Sequence, residues 1–313
     1  MPSDLESNPN PAEAAGNDVL RTLRIAAGDA AGQDYPPATL YVIATPIGNR
    51  ADITVRALIC LARVDAVAAE DTRTARQLLH YYGIDKPMIA AHRHNEHEAA
   101  QALVARIAEG ARIAYVSDAG TPGVSDPGAR LVAAVRDAGY RVMPIPGASA
   151  LTTALSAAGL PEGPVQFVGF LPSKTAQAST VLASLATVTA HLVLYEAPHR
   201  IVDTLGLVAT HFGGRHCVIG KELTKRFETI HRCPVEEAVA WITADPQRQR
   251  GEFVLIVEAS ATQDGDSALT KALPILQKLC ASLSVSEAAS LAAEITGVSR
   301  KALYAEALKL RGE

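Results

Sequence analysis

The chain lacks cysteine pairs, membrane-length apolar runs and standard phosphate-binding loops, and each absence removes a class of function. Its four cysteines (Cys60, Cys217, Cys233 and Cys280) form no C-x-x-C pair and show neither zinc-site nor disulfide-framework spacing. They read as buried thiols in a reducing compartment. No apolar run reaches the ~18 residues needed to span a bilayer. The acidic, proline-bearing start MPSDLESNPNP lacks the basic-then-apolar order of a signal peptide, so the expected location is cytoplasmic. No G-x-G-x-x-G follows a predicted strand. The nearest Walker-like run, Gly214 to Gly220-Lys221, has five intervening residues and then Glu222 where Ser or Thr belongs. His92, His94 and His97 straddle a predicted strand-to-helix junction in a spacing that matches no zinc pattern, and no metal is expected.

A broadly basic surface is also missing. Net charge is −4 over 313 residues, which speaks against an obvious nucleic-acid binder. The charge is uneven, however. Residues 1–39 hold six acids and two bases, so they carry the entire deficit and the remaining 274 residues are neutral. Overall charge is therefore no test of RNA binding. Any such binding is expected to rely on a few placed bases and to depend only moderately on salt.

At 48% hydrophobic and 20% charged the composition is globular. Four regions follow from the patterning. Residues 1–38 read as a disordered acidic tail, with a short helix around Val19–Ala27 at most and order beginning at Thr39. From 39 to 160, short apolar runs (LYVIATPIGN, DAVAAED, PMIAAH, ARIAYVSD, YRVMPIPG) alternate with helical patterns of about 10–15 residues. That alternation reads as βαβ units and a mostly parallel sheet. In the helix 52–64, Val55, Leu58, Ile59 and Ala62 fall on one stripe, and Pro127 sits in the first turn of the helix 127–139. After the linker LPEGPVQ, residues 161–261 form a second, more mixed α/β domain in which 216–224 and 227–233 look like paired strands. Residues 262–313 are helical. Ser284 and Glu287 have capping-box spacing, Gly297 divides two short helices, and Ser299 could cap the last. The pair fits a helix-turn-helix or a helical hairpin equally well.

In open α/β sheets, ligands bind beyond the carboxyl ends of the strands. Three loops in that position are rich in glycine and proline: 45–49, 117–128 and 144–149. The longest carries Asp118 and Asp126 and no lysine, which would repel a polyphosphate. A nucleoside-like ligand with a positive centre suits it better, because carboxylates accept ribose hydroxyls and offset a cation.

Eight motifs follow one another along the chain. They are TPIGN-x-x-D-I-T (45–54), A-E-D-T-R (69–73), S-D-A-G-T-P-x-x-S-D-P-G (117–128), P-x-P-G-A-S-A (144–150), G-F-L-P-x-K (169–174), Y-E-x-P-H-R (195–200), E-L-T-K-x-x-E (222–228) and G-E-x-V-L-I-V-E (251–258). In these motifs, over residues 39–313, the chain resembles the ribosomal RNA small subunit methyltransferase I branch of the tetrapyrrole methylase superfamily. Tetrapyrrole-acting relatives carry a G-x-G-P-G-D type first loop. Here it is Thr45-Pro46-Ile47-Gly48-Asn49, which favours the RNA branch.

The resemblance implies a tetrapyrrole-methylase-like α/β fold with S-adenosylmethionine held in the cleft between two α/β domains. It also implies a homodimer and 2′-O-methylation of a cytidine in the decoding region of 16S rRNA within the small ribosomal subunit. By family position, Pro46, Gly48, Ser117, Asp118, Gly120, Thr121, Ser125 and Ser149 line the cofactor pocket from the first domain. Tyr195, Leu223 and Gly251 close it from the second.

A ribose hydroxyl needs a proton acceptor or polarising group. The sequence offers Glu70, Asp71, Asp52, His94, and Glu222 with Lys225, the last two being the expected proton handlers. Asp71, directly before a helix, is equally a candidate N-cap. Expected RNA contacts are Arg73, Arg76, Lys174, Arg200 and Arg226 beside the motifs, with Arg300 and Lys301 opening the last helix. Two other readings stay open: a methyltransferase of the same fold acting on a tetrapyrrole or another small acceptor, and a non-catalytic RNA-binding module.

Overall fold

The computed structural model describes residues 11–92, 95–260 and 266–311. Helix α1 (Pro11–Ala31) comes first. Then follow β1 (Thr39–Ile43), α2 (Val55–Arg63), β2 (Ala66–Ala69), α3 (Thr72–Tyr81), β3 (Met88–Ala90), α4 (Glu96–Ala108), β4 (Arg112–Val116), α5 (Ala129–Asp137), β5 (Arg141–Ile145) and α6 (Ala150–Ala157). The five strands form one parallel sheet in the order β3-β2-β4-β1-β5. Strand β1 therefore lies between β4 and β5, and the three glycine- and proline-rich loops leave three adjacent strands on the same side.

The second sheet is built from β6 (Val165–Phe170), β7 (His191–Glu196), β8 (His216–Lys221), β9 (Thr229–Pro234) and β10 (Phe253–Val257), in the order β6-β7-β10-β8-β9. Strands β6 and β7 run parallel and the remaining pairs are antiparallel. Helices α7 (Thr175–Leu185), α8 (Ile201–His211) and α9 (Val235–Thr243) supply one core of this half, with Leu182, Leu205, Ile219 and Leu255 buried together. Its opposite face takes α6 from the first half: Ala154 and Ala158 pack on Val193, Val218, Val254 and Ile256. The small alanines allow that close approach, and the two halves share this core. The chain ends in α10 (Asp266–Cys280), α11 (Val285–Thr296) and α12 (Arg300–Arg311), which enclose a separate cluster around Leu276, Ala289 and Leu303. The capping box of Ser284 and Glu287 is formed, Gly297 closes α11 in the left-handed conformation, and the Ala302 amide donates to Ser299 Oγ.

Several expectations need correction. The acidic tail is not disordered through residue 38, because α1 occupies Pro11–Ala31 and packs against α2. Its end is fixed by tertiary bonds. Arg63 Nη2 donates to the Ala31 carbonyl at 2.8 Å, the buried Tyr35 hydroxyl donates to the Ala30 carbonyl at 2.9 Å, and the Arg63 guanidinium covers the Tyr35 ring. Local composition cannot register such contacts. The buried stripe of α2 is Ala57, Cys60 and Leu61, while Ala62 is exposed and Val55 only half-buried. Apolar residues surround this helix, so periodicity alone did not select the face. Pro127 precedes α5, whose N-cap is Gly128. The three thiols Cys60, Cys217 and Cys233 are buried, and Cys280 is partly so.

If Arg63 anchors α1, Arg63→Ala weakens that end by about 1 kcal/mol. Amide exchange should then accelerate several-fold over residues 25–31 while β1 and β4 keep their protection. Unchanged exchange in α1 would remove the anchoring role.

Candidate active site

A cavity of about 310 Å³ lies where the carboxyl ends of the first sheet meet the second half. Of the residues expected there, Gly120, Thr121, Ser125, Ser149, Tyr195, Leu223 and Lys225 line it together. The loops after the parallel strands β4 and β5 deliver the first four, and β7 and the turn after β8 deliver the others. The loops are fastened to one another. The Thr45 and Gly120 amides each donate to the other's carbonyl, at 2.8 and 3.0 Å, and Thr121 Oγ1 donates to the Ala148 carbonyl at 3.0 Å. Tyr195 joins the halves, because its hydroxyl accepts from the Leu151 amide at 2.9 Å, and burial raises its pKa.

The remaining predicted pocket residues support the walls without lining them. Ser117 is buried, with its hydroxyl turned back onto the Ala119 and Gly120 carbonyls. Asp118 Oδ1 accepts from the Asp71 amide at 3.0 Å. Pro46 precedes Ile47, which does face the cavity. Gly48 and Gly251 act by having no side chain: a Cβ on Gly48 would fall 2.5 Å from Lys225 Cγ, and one on Gly251 would fall 2.4 Å from Glu222 Cδ.

The mouth of the cavity is held by a charged cluster. Lys225 Nζ donates to Glu222 Oε1 at 2.9 Å and to Glu252 Oε2 at 2.7 Å, and Glu222 Oε1 also accepts from the Glu252 amide at 3.0 Å. Glu222 and Thr224 both have positive φ, +49° and +64°. Residues without glycine's freedom hold such angles at a cost of about 1–3 kcal/mol each. The carboxylate bonds of Glu222 hold the turn there, and the Asn49 amide crosses from the first half to donate to Thr224 Oγ1 at 3.1 Å.

Burial opposes the charge on Glu222, but its bonds from Lys225 and the Glu252 amide outweigh it and the pKa falls. Burial likewise opposes the charge on Lys225, and its two carboxylate partners overcome it and raise the pKa. Lys225 is therefore held as an ammonium.

The other expected site residues are placed as follows. Asp71 caps α3 by accepting from the Arg73 amide at 2.8 Å, and its carboxylate pairs with the Arg73 guanidinium at 2.9 Å. Those bonds lower its pKa to about 2, so both groups serve the start of α3. Neither Glu70 nor Asp71 lines the cavity. Asp52 lies in a short 3-10 turn after the first loop, and His94 lies outside the described residues. His97 pairs with Gln101.

Arg200 is committed inside the protein: it donates to the Leu171 and Pro172 carbonyls at 3.1 and 2.9 Å and lies 3.5 Å from Glu196. Arg76, Lys174, Arg226, Arg300 and Lys301 are exposed, with Arg300 donating to Ser286. Phe170, Glu196 and Glu252 are among the lining residues that the motifs did not mark out as site residues. Glu196 and Glu252 directly follow Tyr195 and Gly251 in motifs already singled out. A larger hollow of about 560 Å³ beside α5 and β5 is lined by Tyr115, Arg136 and Tyr140 and lacks this convergence of polar groups.

The fold and cleft define a class, the tetrapyrrole methylases. Residues 39–239 match the family of Tetrapyrrole (Corrin/Porphyrin) Methylases, and residues 266–311 match the RsmI C-terminal HTH domain. The fold is shared with a cobalt precorrin-4 methyltransferase (TM-score 0.54, 16% identity, covering 71% of this chain and 95% of that one). It is shared also with the methyltransferase CobJ (TM-score 0.53, 20% identity, 72% and 95%). Sequence relatives are much closer. Ribosomal RNA small subunit methyltransferase I of Escherichia coli O157:H7 is 47% identical over 280 residues, covering 89% of this chain and 98% of the relative. The enzyme of that name from Pseudomonas aeruginosa is 45% identical over 277 residues, covering 88% and 98%. The chain belongs to the ribosomal RNA small subunit methyltransferase I family. Its cofactor is S-adenosylmethionine, and the cavity suits that ligand: Asp126 brings a carboxylate to the lining, and Ile47, Leu223 and Val254 supply apolar walls.

Gly48→Ala forces a methyl group into the Lys225 stem, an overpacking of about 1–3 kcal/mol. S-adenosylmethionine affinity, measured by calorimetry, should fall about tenfold or more with secondary structure retained. Wild-type affinity would show that the close approach is dispensable.

Proposed function

We propose that this protein transfers the methyl group of S-adenosylmethionine to the 2′-hydroxyl of a cytidine in the decoding region of 16S rRNA. Its substrate is the small ribosomal subunit, and it acts in the cytoplasm as a homodimer. The observation that carries this reading is the relatives' common name at 47% identity over 89% of the chain. The assembled cavity supports it. Among the described residues, no helix is long and apolar enough to cross a membrane.

Bound S-adenosylmethionine supplies an electrophilic methyl carbon. The chain's contribution is alignment, exclusion of water and control of one proton. The loops after β1, β4 and β5 fix the donor, while Ile47 and Leu223 keep the reacting centre dry. Lys225 has three N–H donors, of which Glu222 and Glu252 take two. The third is free to hold the ribose oxygen and make its hydroxyl more acidic. Glu252 lines the cavity and is exposed, so it is placed to take the proton. Glu222 lies behind them and positions Lys225.

Labelled S-adenosylmethionine offered to assembled small subunits, naked 16S rRNA and a tetrapyrrole precursor tests the substrate. Alkali-resistant label in the ribosomal material is expected, and label confined to the tetrapyrrole would overturn the reading. Light scattering of the purified protein reports the stoichiometry, where a monomer mass would remove the dimer.

Lys225→Met should cut the single-turnover rate about 100-fold or more, and near-normal turnover would dismiss its role. The cluster is also predicted to stay intact across the neutral range. Its bonds hold Glu222 below the ordinary carboxylate range, and its two carboxylate partners hold Lys225 above the ordinary amine range. The stabilisation from Glu222 is thus lost only as pH falls through its lowered value, and that from Lys225 only as pH rises through its raised value. Neither should produce a limb in the rate profile between those limits.

A further inference from the structure

Exposed rings are few in a chain only 4% aromatic. Two of them, Tyr81 and Phe227, lie open to solvent beside arginines at 58% and 68% exposure. The Arg50 guanidinium sits 4.4 Å from the centre of the Tyr81 ring, and that of Arg226 sits 5.6 Å from the Phe227 ring. Among the described residues neither arginine forms an ion pair with a carboxylate. Their charge is therefore available.

These pairs are attached to the two ends of a single bridge across the cleft. Asn49, whose amide donates to Thr224 Oγ1, is followed directly by Arg50. Thr224 is followed by Lys225, Arg226 and Phe227. Lys225, next to Arg226 in the chain, lines the cavity. The Tyr81 ring is also propped. Tyr82 meets it edge-on, with ring centres 5.0 Å apart, and the Tyr82 hydroxyl donates to the Arg50 carbonyl.

An exposed ring beside an unpaired guanidinium offers a π-face and a cation together. Single-stranded nucleic acid uses that combination, stacking bases on rings while arginines meet phosphates or stack in turn. Apolar docking of a protein would not call for two unpaired cations flanking the reaction mouth.

We propose that Arg50–Tyr81 and Arg226–Phe227 form two base-stacking platforms on either side of the mouth. They hold the unpaired nucleotides that flank the target, so that its ribose is presented to Lys225. The inference rests on the rRNA reading above and narrows it to a locally single-stranded segment.

The test measures methylation of purified, unmethylated small subunits by wild-type protein and by Phe227→Leu, Phe227→Trp and Tyr81→Leu, with calorimetry of S-adenosylmethionine alongside. Each leucine variant should raise KM for the subunit about tenfold, in line with the loss of one stacked base. Cofactor affinity should not change, and Phe227→Trp should keep the wild-type KM. Leucine variants within twofold of wild-type KM would overturn the platforms while leaving the rRNA reading intact. Failure of the wild-type protein to methylate any ribosomal substrate would overturn both.

Discussion

The pinning of Lys225 between two carboxylates governs the working end of this molecule. The ammonium bonds to Glu222 and Glu252, which face each other at one end of the antiparallel pair β8–β10, and its stem lies against Gly48 of the other half. This contact sets how near the first loop can come to the second sheet. It also holds the two left-handed residues of the 222–225 turn in place.

The site and the fold make opposite demands on charge. The cavity lining that must accept a sulfonium holds Asp126, whereas an RNA partner needs cations nearby. The chain separates the two by depth. Acids surround the cavity, and the exposed bases Arg76, Lys174 and Arg226 lie on the outside. Arg200 shows why basic residues in a motif cannot all be assigned to RNA, since its guanidinium fastens the turn after β6 to α8.

Much of this arrangement was legible in the sequence where local chemistry decides the outcome. Alternating strands and helices implied a mostly parallel sheet, and the three loops lie together because β1 pairs with both β4 and β5. Asp71 as N-cap, the Ser284–Glu287 box and the Gly297 stop are encoded within a few residues and formed as read. Three features depended on distant partners and were not legible. Helix α1 is fixed by Arg63 and Tyr35, the buried face of α2 is selected by what packs on it, and Lys225 is bonded to Glu252, 27 residues further along. The motif containing Glu252 was visible, yet spacing alone gave no reason to prefer it over Glu222.

Helix α6 bears on how substrates reach the site. It belongs to the first half by sequence, but its alanines are buried against the second sheet. Swinging the halves apart like a jaw would strip that apolar surface into water, at about 25 cal/mol for each Å². The molecule is therefore braced against hinge motion. The 222–228 turn is braced with them, since its Leu223 is buried in the same shared core.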